Sequence, residues 1–91
     1  MKKSVRVYVF GIVQGIFFRA FVKEKAEELN IRGYVRNKDD GSVEIWIEGN
    51  NEDVDKMVDI CKQGPPHAVI NRFDILGEKF HGFEEFKILS I

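Results

Sequence analysis

The chain has 91 residues, 44% of them hydrophobic and only two of them proline, which fits one folded domain over residues 1–91 and excludes a two-domain or disordered protein. Fourteen Lys and Arg against fifteen Asp and Glu give a net charge of −1, so the strongly basic surface of a nucleic-acid-binding protein is not expected. A domain of this size can bury a core, but its free energy of unfolding should lie at the low end of the usual range of about 5–15 kcal/mol.

The first part of the chain predicts a strand, a helix and a second strand. Valine alternates with polar or aromatic residues over positions 5–10, which indicates a strand with one buried face, and Gly11 is predicted to end it. From about Phe18 the apolar residues take the spacing of an amphipathic helix that ends near Asn30. Residues 33–37 predict a short second strand. The buried stripe of the helix is predicted to contain Phe18, Phe21, Val22, Ala26 and Leu29.

A turn and a third strand follow. Residues 38–41 have the composition of a turn, in which Asp39 and Asp40 are interpreted as turn residues rather than as a general acid–base pair. Apolar and polar residues alternate again over positions 43–48. The turn therefore predicts a hairpin between the second and third strands.

A second helix and two further strands complete the pattern. Asn50 or Asn51 is predicted to cap the helix and Gly64 to follow its last turn. Residues 68–76 predict a fourth strand, and residues 83–89 predict a short fifth one. The buried stripe of this helix is predicted to contain Val54, Met57, Val58 and Cys61.

This order predicts an α+β fold, the ferredoxin-like βαββαβ sandwich, in which an antiparallel sheet with a short additional C-terminal strand carries two helices on one face. The helical connection makes the first two strands parallel, and the third strand lies antiparallel between them. The carboxyl ends of the first and second strands therefore lie at one edge of the sheet, roughly 10 Å apart.

A candidate anion site follows the first strand. Gly11 and Gly15 bracket a loop whose N–H groups can point at one anion, and the positive end of the following helix adds to the attraction. Arg19 offers a planar, permanently charged fork that matches phosphate oxygens. A plain turn and a surface arginine fit the same pattern. The chain has no Gly-Lys-Ser/Thr sequence, which excludes a Walker-type nucleotide loop.

Two longer motifs resemble those of the acylphosphatase family. Its first motif reads approximately aliphatic-x-Gly-x-Val-Gln-Gly-Val-x-aromatic-Arg, and residues 9–19 match it throughout except that Ile16 stands where Val is usual. Its second motif, Gly-aromatic-small-x-Asn-x-x-x-Gly-x-Val, is met in full by residues 33–43. The segments at 64–66 and 86–88 also resemble those of the family. The resemblance therefore spans essentially the whole chain.

The resemblance implies hydrolysis of acyl phosphates to a carboxylate and inorganic phosphate, without a cofactor. It gives the catalytic roles to Arg19, which neutralises and orients the phosphate, and to Asn37, which holds the attacking water. An acyl phosphate has a good leaving group, so positioning and charge stabilisation suffice, and we hypothesise that the phosphate oxygens of the substrate accept the proton. The phosphate-binding residues that it implies are Gln14, Gly15, Ile16, Phe17, Phe18 and Arg19.

Other chemistry is not expected. Cys61 is the only cysteine, which excludes an internal disulfide, and neither His67 nor His81 has a partner at the spacing of metal ligands, so no metal site is predicted. No apolar segment approaches the ~18 residues that a membrane span needs, and the N-terminus lacks the apolar run of a signal peptide. We therefore expect a cytoplasmic monomer that binds a small molecule but neither nucleic acid nor membrane.

Three alternatives share the predicted fold. RNA-recognition domains have the same element order; residues 32–35 resemble the start of one of their motifs, and Tyr8, Phe10 and Trp46 are placed on the open sheet face. That motif is incomplete here and falls on the wrong strand. A small-ligand or metal-carrier module of the same fold is a second alternative, but the paired cysteines of metal carriers are missing. An accessory domain like those that begin hydrogenase-maturation carbamoyltransferases is a third possibility, although the length of 91 residues favours a chain that acts alone.

Overall fold

The computed structural model of the protein describes residues 1–89, which fold into a five-stranded sheet and two helices. Residues 90 and 91 of the predicted domain lie outside the described residues. The observed order confirms the predicted succession of elements. The elements are β1 (Lys2–Ile12), α1 (Ile16–Glu28), β2 (Arg32–Asn37), β3 (Val43–Asn50), α2 (Asn51–Gln63), β4 (Val69–Glu78) and β5 (Phe86–Leu89).

The strands are arranged in the order β4-β1-β3-β2-β5. As predicted, β3 lies antiparallel between β1 and β2. The predicted antiparallel sheet needs one correction, because β5 pairs in parallel with β2 and makes the sheet mixed. Since β4 and β5 form opposite edges, residues 79–85 between them cross one face of the sheet.

The hydrophobic core lies between the sheet and the helices. The valines of β1 alternate into it, as predicted, and the second predicted stripe supplies Val54, Met57 and Cys61. Phe18, Val22 and Ala26 of α1 are also buried, whereas three predicted members of the two stripes, Phe21, Leu29 and Val58, are only partly buried. Burial raises the pKa of the Cys61 thiol to about 12, which is consistent with a core residue rather than a reactive thiol. Neither helix of the described chain has the length and apolar character needed to cross a membrane.

Two boundaries near the predicted loop differ from the sequence expectation. Gly11 does not end β1, which continues to Ile12 after an irregularity in its pairing with β4. At Gly11 φ is 140°, and a Cβ atom there would lie 1.9 Å from the carbonyl oxygen of Val69, so the close approach of β4 requires glycine. The first helix begins at Ile16 rather than at Phe18, directly after Gly15 with its φ of 122°. The loop between strand and helix is therefore only three residues long, 13–15.

The sheet face opposite the helices carries a buried carboxylate that holds the crossing segment. Glu48 accepts hydrogen bonds from the N–H groups of His81, Gly82 and Phe83 and from the Ser4 hydroxyl. Burial alone would raise the pKa of this carboxyl, but the hydrogen bonds from His81, Ser4 and Phe83 outweigh it and hold the pKa below its usual value. Glu48 therefore fixes residues 81–83 across the sheet.

A second buried carboxylate lies on the same face. Glu44 accepts hydrogen bonds from Arg36, Tyr34 and Arg6. Burial would raise its pKa, but the hydrogen bond and charge of Arg36, with the hydrogen bond of Tyr34, hold it below the usual value. Burial and the nearby Glu44 charge in turn raise the pKa of Tyr34 to about 12. A polar layer therefore replaces the open platform of an RNA-binding sheet.

The aromatic residues on this face are not free to stack on bases. Trp46 packs edge-on against His81 at 6.2 Å and against Phe83 at 5.6 Å between ring centroids. The guanidinium of Arg72 lies over the Phe10 ring and the ammonium of Lys38 over the Tyr8 ring. These contacts and the buried carboxylates disfavour the RNA-binding alternative.

Replacing Glu48 with glutamine is expected to lower the free energy of unfolding by about 2 kcal/mol at neutral pH, because the charged acceptor of five hydrogen bonds is lost. A carboxyl whose folded-state pKa is depressed stabilises the fold fully above its unfolded-state pKa of about 4.3, and this contribution is lost as the pH falls through the folded-state value. The difference in unfolding free energy between the two proteins, measured with urea, should be constant above about pH 5 and shrink in acid. The exposed Glu84, replaced by glutamine, is the matched control, and an equal loss there would contradict the role of Glu48.

Candidate active site

The predicted meeting of two strand ends is present. Val43, the first residue of β3, pairs with Val9 near the end of β1 and with Asn37 at the end of β2. Two strand spacings of about 4.8 Å therefore separate Asn37 from β1, close to the predicted 10 Å. The loop after β1 and Asn37 therefore lie at the same end of the sheet, where β1 and β2 finish and β3 begins.

The loop and the first turn of α1 present unpaired N–H donors. Within residues 1–89, no protein acceptor takes a hydrogen bond from the N–H groups of residues 14–18. The first main-chain bond of the helix runs from Arg19 N–H to the carbonyl of Gly15. The helix has no side-chain cap and no acidic residue in its first turn, so the positive end of its dipole is not neutralised. These features suit an anion.

The first three residues of α1, Ile16, Phe17 and Phe18, differ in the burial of their side chains. Phe18 is buried in the core, whereas Ile16 and Phe17 are exposed. Phe18 therefore anchors the loop to the core, and all three residues offer an anion only their main-chain N–H groups. Starting the helix at Ile16 makes these N–H groups the unsatisfied donors of its first turn.

Arg19 lies one turn into the helix and bends back toward its start. Its Nε donates a hydrogen bond to the carbonyl oxygen of Gly15 at 3.4 Å. No carboxylate within residues 1–89 forms an ion pair with its guanidinium. Side chains in helices lean toward the N-terminus, which places this permanent positive charge beside the loop.

Asn37 carries an unusual polar atom. Its side-chain oxygen Oδ1 is buried and has no hydrogen-bond partner within residues 1–89. Buried carbonyl oxygens nearly always accept a hydrogen bond, and leaving one without a partner costs about 1–3 kcal/mol. At the end of β2, the side-chain oxygen of Asn37 is therefore an acceptor to which no other described residue donates.

Gln14 links the loop to the hairpin that carries Asn37. Its side-chain Nε2 donates to the carbonyl oxygens of Lys38 at 2.8 Å and Ser42 at 3.0 Å. The side-chain nitrogen of Gln14 is therefore occupied, whereas its main-chain N–H has no acceptor within residues 1–89. This bridge was not predicted, because neither spacing nor hydropathy shows where a side chain on one loop meets another.

The turn that Gln14 contacts is formed as predicted. The Asp40 carboxylate accepts hydrogen bonds from the N–H and hydroxyl of Ser42, which lower its pKa. Asp39 is exposed. Among the described residues, no three His, Cys, Asp or Glu side chains form a group that could hold a metal ion.

Replacing Gln14 with alanine is expected to lower the rate of the expected acyl phosphate hydrolysis by about tenfold to a hundredfold. The variant loses the connection between the loop and the hairpin that carries Asn37, and a displacement of about 1 Å at an active site can cost a hundredfold. Gln14→Glu, which is similar in shape but is ionised and lacks the N–H donor, should lose as much. Steady-state kinetics on both variants, with the exposed Gln63→Ala as a control, checks this. Wild-type turnover in Gln14→Glu would contradict the positioning role.

Comparison with known proteins identifies the family. The acylphosphatase family profile matches residues 5–88. An acylphosphatase of Syntrophus aciditrophicus is 43% identical over 90 residues, which cover 98% of this chain and 94% of that protein. An acylphosphatase of Rubrobacter xylanophilus is 48% identical over 80 residues, covering 88% of this chain and 73% of that protein.

Solved structures give the same result. The crystal structure of acylphosphatase from Bacillus subtilis is similar with a TM-score of 0.90 at 33% identity, covering 98% of this chain and 99% of that one. The structure of HypF from T. kodakarensis is similar with a TM-score of 0.84 at 38% identity, covering 100% of this chain but 12% of that one. The fold occurs both in chains of this size and as one part of a longer protein.

Proposed function

The chain belongs to the acylphosphatase family and hydrolyses acyl phosphates to a carboxylate and inorganic phosphate, and from this premise we propose how its residues divide the work. The N–H groups of residues 14–18 bind the phosphate oxygens of the substrate. Arg19 neutralises and orients the phosphate. The absence of a protein acceptor for these donors within residues 1–89 and the positive end of α1 support this assignment.

We propose that Asn37 holds the attacking water. The observation that carries this role is the position of Asn37 at the end of β2, in the lining of the cleft formed by residues 36–40, with a side-chain Oδ1 that no protein donor within residues 1–89 occupies. Because Oδ1 is covered by the protein itself, the side-chain amide turns toward this cleft before Oδ1 accepts a hydrogen bond from water. The side-chain Nδ2 of the same amide can donate to a phosphate oxygen. A water that donates to Oδ1, beside a phosphate oxygen that accepts from Nδ2, is restricted to one line of approach toward phosphorus.

The reaction needs little chemistry from the protein. The water oxygen bonds to phosphorus while the bond from phosphorus to the acyl oxygen breaks, and that electron pair leaves with the carboxylate. The proton of the water passes to an oxygen of the transferred phosphate. Because the carboxylate is a good leaving group, stabilisation of charge by the loop and Arg19 supplies the catalysis, and we propose that no metal or other cofactor is needed.

Hydrolysis of benzoyl phosphate, with and without EDTA, tests this proposal. We expect turnover that EDTA leaves unchanged and competitive inhibition by inorganic phosphate, which occupies the same N–H groups. Loss of turnover in EDTA that added metal restores would contradict the metal-free reaction. Inhibition that is not competitive would contradict a shared phosphate site.

The domain organisation, oligomeric state, location and partners of the protein are also proposed. We propose that residues 1–91 act as one domain, as a monomer, in the cytoplasm, without a membrane or nucleic-acid partner. The matches to acylphosphatases over almost the whole length of this chain support one domain over these residues. Light scattering that gives the mass of a dimer at assay concentration would contradict the monomer.

A further inference from the structure

Three large apolar side chains are exposed beside the phosphate-binding loop. Ile12 is 71%, Ile16 67% and Phe17 88% exposed. A single exposed apolar residue is ordinary, but three within six positions next to the reacting group indicate a surface that a ligand covers. None of the three side chains belongs to the hydrophobic core or packs against it.

A small cleft lies against two of them. The cleft has a volume of about 150 Å³ and is lined by residues of the β1–α1 segment, including Ile12 and Phe17, and by Pro65, His67 and Ala68 from the segment before β4. We call this feature the apolar cleft. It is smaller than the roughly 300–1,000 Å³ of pockets for drug-sized ligands, so it fits a group of a few carbon atoms.

The apolar cleft lies on the side of the loop away from the attacking water. In the sheet order β4-β1-β3-β2, the start of β4 flanks the end of β1 on one side, and Asn37 at the end of β2 lies on the other. Displacement at phosphorus proceeds with the attacking and leaving oxygens roughly in line. A water at Asn37 therefore directs the acyl oxygen toward β4. The second cleft at this edge, of about 340 Å³ and lined by residues 36–40, lies on the water side.

We infer that the apolar cleft binds the acyl group of the substrate, and that the enzyme prefers acyl phosphates with a short, uncharged, apolar acyl group. The inference rests on the proposed roles of the loop and Asn37. The acyl group is covalently joined to the phosphate, so it must lie within a few bonds of the loop. The apolar cleft shares Val13 and Gln14 with that loop and Phe17 and Phe18 with the first turn of α1. The lining contains no Lys or Arg, and its polar side chains are Gln14, whose Nε2 already donates to the hairpin, and the exposed His67. A carboxylate on the acyl group would therefore exchange its hydration for at most one exposed imidazole.

Three substrates with the same phosphate test the inference on the wild-type chain. Acetyl phosphate has the shortest acyl group, and butyryl and succinyl phosphate differ from each other only in a terminal methyl or carboxylate. Two more buried methylene groups should raise kcat/KM for butyryl phosphate about fivefold to fifteenfold over acetyl phosphate. Succinyl phosphate should be no better than acetyl phosphate. Equal values for acetyl and butyryl phosphate, or a preference for succinyl phosphate, would overturn the inference.

Variants locate the preference in the apolar cleft. In Ile12→Ser with Phe17→Ser, the ratio of kcat/KM for butyryl over acetyl phosphate should fall to between one and two. Disturbance of the loop affects both substrates and cancels in this ratio. Leu76→Ser, at a site on β4 that is 49% exposed, should keep the wild-type ratio. Each variant is checked by circular dichroism, and the single variants serve if the double variant does not fold.

The outcomes separate this inference from the function on which it rests. A wild-type ratio in the folded double variant overturns the apolar cleft as the acyl site while leaving hydrolysis intact. Absence of hydrolysis of all three substrates overturns the proposed function and this inference together.

Discussion

Replacing Arg19 with alanine is expected to lower kcat/KM for benzoyl phosphate by about 10³-fold. The guanidinium bends toward the start of α1, and no carboxylate within residues 1–89 pairs with it, so its positive charge is available to the phosphate. Since Arg19 is neither a core residue nor a partner in an ion pair of the described chain, the variant should unfold at the same urea concentration as the wild type. The loss should include a raised inhibition constant for inorganic phosphate, because binding and turnover use the same charge.

Two further variants sharpen the test of Arg19. Arg19→Lys keeps a positive charge but lacks the planar fork, so it should retain more activity than alanine and less than arginine. Arg32→Ala removes an exposed arginine at the start of β2 and should leave activity unchanged. A folded Arg19→Ala enzyme with nearly normal kcat/KM would overturn the proposed role.

Replacing Asn37 with alanine is expected to lower kcat by about 10²–10³-fold, because the attacking water loses the group that orients it. The inhibition constant of inorganic phosphate should stay close to that of the wild type, since the N–H groups and Arg19 remain. A lower kcat with an unchanged inhibition constant for phosphate distinguishes the role of Asn37 from that of Arg19. Steady-state kinetics and phosphate inhibition, measured on both variants under the same conditions, give these two quantities.

The stability of Asn37→Ala provides an independent check. Removing a buried acceptor that the fold does not satisfy relieves a cost of about 1–3 kcal/mol, so the free energy of unfolding should stay equal or rise. Asn71→Ala, at an exposed position on β4, should change neither activity nor stability. A large loss of stability in Asn37→Ala would show that the amide supports the fold rather than the reaction.

The fold was predictable because its local signals agree with one another. Alternating valines, the two helical stripes and the positions of turn residues all indicate the same βαββαβ order, and the structure confirms it. The parallel pairing of β5 could not be predicted, because it depends on residues 79–85 crossing the sheet. That crossing is held by Glu48, whose partners lie 33 to 35 positions along the chain.

The candidate site was predicted in part. The motifs identify Arg19 and Asn37, and the topology brings their segments to one edge. The side-chain bridge from Gln14 and the orphan oxygen of Asn37 depend on rotamers and local packing, which hydropathy and spacing do not encode. The continuation of β1 past Gly11 depends on pairing with β4. The sequence pattern around Gly11 does not contain this contact, so the predicted strand ended one residue too early.

In the proposed reaction, a water held at Asn37 attacks phosphorus while the loop and Arg19 bind the phosphate. Hydrolysis of benzoyl phosphate in water enriched in oxygen-18, followed by mass spectrometry of both products, tests this most directly. Attack at phosphorus places the heavy oxygen in inorganic phosphate and leaves benzoate unlabelled, which is the result that we expect. Heavy oxygen in benzoate would mean attack at the carbonyl carbon and would contradict the proposed site.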